Sequence, residues 1–281
     1  MPAWAPGSLP ERAPGPATTD AIGVEASGVG EVARYAVAGA AAVVAGAVNA
    51  VAGGGTLISF PTLLFLGVGP VVANATNAVA LWPGSLAGAV GFRRELAHTR
   101  SWLLLLLPPS IVGGALGAVI LLHTGAALFR SIAPFLILLA TGLLAAQNRI
   151  TARATHTGPR TSAAFRWSAI GFQFLVGVYG GFFGAGIGIL MLAALGMLGV
   201  GNINQMNGLK NVLAVCINGV AAIYFVVSGA VVWGYAVVMA LGAILGGYTG
   251  ASVARRLRAE VVQRFVIVVG IVVAVVLLVT R

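Results

Sequence analysis

The chain has 281 residues, 59% of them hydrophobic and only 8% charged, with a formal net charge of +10. Apolar residues at that level exceed what a soluble core of this length buries, which excludes an ordinary soluble domain and describes a polytopic membrane protein. The arginines gather in short segments between apolar runs, so they read as orienting charges at membrane edges and not as a nucleic-acid surface.

Residues 1 to 32 carry Pro2, Pro6, Pro10, Pro14 and Pro16 with scattered acids, and no basic start precedes a short apolar core. They read as a flexible tail and not as a signal peptide. From Tyr35 to Phe92 no charged residue occurs, a run too long for one span when about 20 residues cross the hydrocarbon core.

The run is interrupted at Asn49-Ala-Val-Ala-Gly53-Gly54-Gly55-Thr56, and a similar interruption follows at Tyr179-Gly-Gly-Phe-Phe-Gly184-Ala-Gly186-Ile-Gly188. After each, the chain stays apolar, reaches a Gly-Val-Gly turn (Gly67 to Gly69, Gly199 to Gly201) and enters a helix bearing asparagines. One half of the chain is therefore a diverged copy of the other.

The sequence predicts a first repeat over 33–147, a basic linker over 148–166 and a second repeat over 167–281. Broken elements fall at 33–66 and 167–198. Simple spans fall at 70–91, 101–122 and 126–147, and again at 206–228, 231–252 and 261–280. A broken element of about 32 residues would measure roughly 48 Å as one helix, against a hydrocarbon core about 30 Å thick. It reads better as a hairpin that starts and ends on one side.

Basic clusters lie at Arg93, Arg94 and Arg100, in the linker, and at Arg255, Arg256, Arg258 and Arg264. The positive-inside rule places all three in the cytoplasm. The 70–91 span must then run inward and its copy at 206–228 outward, so the halves are inverted and both termini lie outside the cell membrane. The expected fold is an all-α polytopic membrane protein with two inverted-topology repeats, each a glycine-broken helical hairpin plus three transmembrane helices.

Glycine at each break admits positive φ and leaves the amides of the next helical segment directed into the space beside it. Such a helix start suits an anion, with Thr56 adding a hydroxyl. Neither break has the spacing of a nucleotide loop. Lys210 is the only lysine in the chain. It shares a helix face with Asn207 and Asn211, and Asn218 falls on about the same face. These groups suit an oxyanion; the alternative is that Lys210 snorkels to the cytoplasmic interface. The first half offers Asn74 and Asn77 at the same spacing. Trp82, Trp102, Trp167 and Trp233 read as interface anchors.

The candidate substrate-binding set is Asn49, Gly53, Gly54, Gly55, Thr56, Asn74, Asn77, Gly184, Gly186, Gly188, Asn207, Lys210 and Asn211. Three loop histidines and the single Cys216 make neither a metal site nor a disulfide within one chain, and no nucleophile with a partnered base. No cofactor and no enzymatic activity are expected. The expected partners are lipid and a small anion, with a second copy of the chain as a candidate and no nucleic acid.

At these residues the sequence resembles the sulfite exporter TauE/SafE family, also called the toluene sulfonate uptake permease family. The likeness rests on Ala52-Gly53-Gly54-Gly55 followed by Pro61, on Ala75-Thr76-Asn77, on the Tyr179 to Gly188 motif and on Leu209-Lys210. It implies an integral membrane transporter of two related halves that moves sulfite, thiosulfate or an organosulfonate such as sulfoacetate; the repeated, interrupted halves read as a secondary transporter working by alternating access. A passive anion channel built on the same groups is the alternative. Many members of that family carry acids where this chain has Asn49 and Gly180, and some carry a lysine where it has Ala78. Lys210 is thus left as the only cation expected within the membrane.

Overall fold

The computed structural model describes residues 28–51, 54–91, 99–156, 163–198, 200, 203–253 and 259–279. Residues 1–27 of the predicted tail, Gly53 of the first break, and Arg93, Arg94, Arg160, Arg255, Arg256 and Arg258 of the basic segments lie outside them.

The described residues form ten helices and no strand: α1 Gly28–Val51, α2 Thr56–Phe65, α3 Pro70–Gly91, α4 Arg100–His123, α5 Ala126–His156, α6 Ala163–Phe182, α7 Ile187–Met197, α8 Ile203–Val227, α9 Trp233–Val253 and α10 Ala259–Val279. Helices satisfy every backbone group within the segment, which is what a hydrocarbon solvent demands. Among the described residues, five stretches are long and apolar enough to cross a membrane: Gly30–Asn49, Arg100–His123, Ala126–Ile150, Gln205–Val227 and Val261–Val279. The expected spans at 70–91 and 231–252 are not among them: α9 contributes a shorter apolar stretch, Trp233–Thr249, and α3 carries Asn74, Thr76 and Asn77, which are buried inside the protein. A helix enclosed by other helices has no need of an apolar surface all round. α5 continues to His156, beyond its predicted end at 147. Its last turns bear Arg149 and Arg153, and a helix need not stop where the hydrocarbon does.

Both glycine breaks are real ends of helix. α1 stops at Val51, Gly54 adopts φ +120°, and α2 runs back along α1 for ten residues. Arg34 of α1 donates from Nη2 to Leu66 O at 2.7 Å, so the end of α2 sits beside the first turns of α1. The guanidinium meets a helix C-terminus, where a cation is favoured. A full-length helix followed by a half-length return makes a hairpin, as the length of the segment predicts. In the second half, Gly184 and Gly186 have φ of +79° and +76° between α6 and α7.

Two seams of small residues hold the helices at close range. A methyl group at Gly246 of α9 would lie 1.9 Å from Val43 O of α1, and one at Gly181 of α6 would lie 2.0 Å from Gly114 O of α4. Backbones approach this closely only where a glycine on one helix leaves room for the carbonyls of the other. The packing also has an exchange pattern: α1 packs on α9 as α6 packs on α4, α3 on α9 as α8 on α4, and α2 on α10 as α7 on α5. α3 meets α8, and α5 meets α10, at the centre of this pattern.

Contacts along these central pairs give their directions. Val232 N, just past α8, donates to Thr76 Oγ1 at 3.0 Å, and Trp82 Nε1 donates to Val215 O at 3.0 Å. α3 and α8 are therefore antiparallel. Gln263 of α10 donates from Nε2 to Leu144 O, and Gly270 packs on Thr141, so α5 and α10 are antiparallel too.

Candidate functional site

The two breaks come against the same turn of α5. The Cβ position of Gly54 lies 3.6 Å from Leu144 Cδ2, and that of Gly186 lies 3.6 Å from Ala140 Cα. Phe60 of α2 and Phe183 of the second break meet edge to face, with ring centroids 5.5 Å apart. The chain thus brings together two interruptions far apart in sequence.

At the first break the amides are largely engaged. Gly54 N–H donates to Asn49 Oδ1 at 3.3 Å, Leu57 N–H to Gly54 O, and Ile58 and Ser59 N–H to Gly55 O. Gly55 lies so close to α1 that a methyl there would be 2.2 Å from Ala45 O. Asn49 therefore holds the bend, and Thr56, half-buried at the start of α2, is the side chain of this break that remains beside the turn.

The second break is tied from both halves. Asn74 of α3 donates from Nδ2 to Phe182 O at 2.9 Å, and Tyr179 donates its hydroxyl proton to Ala185 O at 2.7 Å. Carbonyls released by the bend are thereby satisfied, as buried backbone must be. Asn218 Oδ1 stands 3.6 Å from the Cβ position of Gly184.

Lys210 is half-buried on α8, with Asn207 and Asn211 half-buried on the same helix. Its stem crosses Gly188 in the first turn of α7: a methyl there would lie 3.2 Å from Cδ and 3.7 Å from Cε. The lysine thus runs along α7 near the positive end of that helix, where a cation is disfavoured unless an anion lies between. Snorkelling would send the stem toward the start of α8 instead.

Some residues carry roles that their positions in the sequence did not suggest. Trp82, expected as an interface anchor, is half-buried at the α3–α8 contact, donates to Val215 O and covers Gly219 of α8. Trp167 and Trp233 are exposed. Tyr179 and Asn218 were legible as polar groups in the second motif and on the Lys210 face, but only folding shows them beside the break. Arg34 had no signal beyond its position at the edge of the charge-free run.

Two cavities lie elsewhere. One of about 380 Å³ is lined by Val79, Trp82, Pro83, Ala222, Trp233 and Ala240, an almost wholly apolar surface. The other, about 270 Å³, is lined by Ala145, Asn148, Gln263, Arg264 and Ile267 between α5 and α10. Among the described residues no group of three histidines, cysteines or acids is placed to hold a metal ion.

The sulfite exporter TauE/SafE family model matches residues 38–277, which takes in both breaks and all ten helices at least in part. The chain belongs to this family. It is 31% identical over 210 residues to a probable membrane transporter protein of Haemophilus influenzae, covering 74% of this chain and 80% of that one. It is 27% identical to the probable membrane transporter protein YfcA of Escherichia coli K12, over 82% of this chain and 84% of that one. A probable membrane transporter protein, ORF9, of a Sinorhizobium species is 29% identical over 85% and 90%. No solved structure matches the chain. A member of this family, with five apolar helices of spanning length, is a multi-pass membrane transport protein.

Proposed function

We propose that this TauE/SafE protein is a secondary transporter of a small anion, a sulfur oxyanion or organosulfonate, working by alternating access of two inverted repeats. The antiparallel pairs α3 with α8 and α5 with α10, together with the exchange pattern of packing, support inversion: corresponding helices of inverted halves run in opposite directions. Sulfite, thiosulfate and sulfoacetate-like compounds are the proposed cargo, and the family description supports that class.

The observation that carries the site is the Lys210 stem on Gly188. A lysine and a helix N-terminus on one spot both favour negative charge, and together they repel one another until an anion arrives. Asn207 and Asn211 add amide donors on the α8 side, Thr56 adds a hydroxyl on the α2 side, and the glycines at 53–55, 184, 186 and 188 let the backbone come close. Rocking of one half against the other would expose this point to each side in turn. The protein sits in the cell membrane with both termini outside, as arginine placement argues.

The test is thermal unfolding of the purified chain in detergent with sulfite, sulfate, thiosulfate, sulfoacetate and chloride at constant ionic strength. An anion at 100 times its dissociation constant stabilises by about 2.7 kcal/mol. A shift confined to sulfur anions and lost in Lys210→Ala is expected. An equal shift in the variant would return Lys210 to an interfacial role, and conductance far above carrier turnover in vesicles would make the protein a channel.

A further inference from the structure

α3 carries two groups that an anion site alone does not account for. Asn74 and Asn77 are each 2% exposed and stand one helical turn apart, hence on one face. Because Asn74 Nδ2 donates to Phe182 O, and a carbonyl only accepts, the orientation of that amide is set and its Oδ1 is directed away from this bond. Among the described residues no donor reaches Asn74 Oδ1 or Asn77 Oδ1.

A buried amide oxygen without a donor is a standing cost to the fold. Two such oxygens on one face, beside the second break, describe a place made for something that brings positive charge or a proton to them. Their neutrality bears on which kind. No acid occurs between Tyr35 and Phe92 or between Arg166 and Arg255, so the surroundings suit a monovalent centre and not a divalent ion, which seeks carboxylates.

Resting on the transporter function above, we propose that the Asn74 and Asn77 face of α3 binds an electropositive group during transport: a sodium ion from solution, or an N–H or O–H carried by the anionic cargo. The anion's negative end would lie toward Lys210 and Gly188, while the oxygens of α3 receive its counterpart. A neutral oxygen pair then takes the coupling role that an intramembrane carboxylate would otherwise fill.

The test is thermal unfolding of the full chain in detergent. Sodium chloride is exchanged stepwise for choline chloride at constant ionic strength, and taurine is then compared with methanesulfonate in the choline buffer. Taurine carries an ammonium on a sulfonate; methanesulfonate has the same head with no donor. A saturable rise in melting temperature with sodium, weakened about ten-fold or more in Asn77→Leu, identifies a sodium site. No sodium effect, but a preference for taurine that falls about ten-fold in Asn77→Leu, assigns the donor to the cargo.

Either response persisting at full strength in Asn77→Leu overturns the proposal. So does a wild-type chain indifferent both to sodium and to the ammonium; if it still binds both sulfonates equally, the anion site stands and only this inference falls. If no anion binds at all, including those of the Lys210 test, the transporter site falls with it. Should Asn77→Leu not fold, Asn77→Asp keeps the oxygens and adds charge. It must then tighten binding of whichever probe acts, and unchanged or weaker binding overturns the proposal.

Discussion

At the scale of single residues, the site depends on what glycine permits beside a lysine. A Cβ at Gly188 would press on Lys210 Cδ at 3.2 Å, and the long lysine can yield where a backbone cannot. Gly188→Ala should therefore leave the unfolding free energy within about 1 kcal/mol of wild type, on the scale of mild overpacking, while weakening anion binding by displacing the ammonium. Parallel unfolding and binding titrations check both halves of that expectation; undiminished anion affinity would separate Gly188 from the site. Trp82 differs, because its indole N–H bonds Val215 O across the α3–α8 crossing. Trp82→Phe should cost about 1–3 kcal/mol, the loss of packing plus a carbonyl left without its donor, read as a lower melting temperature with anion affinity intact.

The residue-level site was partly legible beforehand. Lys210, Asn207 and Asn211 were marked by rarity of charge and by helical spacing, and the glycines of both breaks by their recurrence. Asn49 was legible as polar but not as the acceptor of Gly54 N–H, since a hydrogen bond across a bend depends on the bend's φ and ψ. Asn74 reads as an anion donor from its sequence; one of its two N–H groups bonds Phe182 O, 108 positions away, a partner that no local pattern encodes.

At the scale of elements, the breaks divide a long apolar run into a spanning helix and a short return. Periodicity cannot find that division, because the residues on either side are nearly all apolar, whereas glycine recurrence can. The seams follow the same logic: Gly242 and Gly246 are spaced to pack, and α1 is the helix that meets them. Gly246→Leu places a branched side chain where Val43 O stands 1.9 Å from the Cβ position. It should destabilise by about 1–3 kcal/mol or more, as overpacking does, and Gly247→Leu, where nothing lies within 4 Å, is its control. Equal melting temperatures for the two variants would disprove a tight α1–α9 seam.

At the scale of the whole molecule, inversion makes a prediction about sides. With Cys216→Ala as background, Gly69→Cys should react with a membrane-impermeant thiol reagent from outside intact cells. Asn148→Cys should react only after permeabilisation. Labelling of both from the same side would contradict the proposed topology, since the turn after α2 and the end of α5 belong to opposite faces in it. The same exchange of packing explains why two breaks far apart in sequence meet one turn of α5 at Ala140 and Leu144.

By itself the sequence determined that this chain is helical, multi-pass and built around two glycine interruptions, because composition, span length and backbone freedom are local properties that a bilayer reads directly. The tertiary structure alone decided which helices lie side by side, that Asn74 serves a carbonyl of the other half, that Lys210 rests on Gly188, and that two asparagine oxygens are buried without donors. Those outcomes depend on contacts between segments whose approach is set by small-residue seams and crossing directions, and no stretch of chain contains both sides of such a contact.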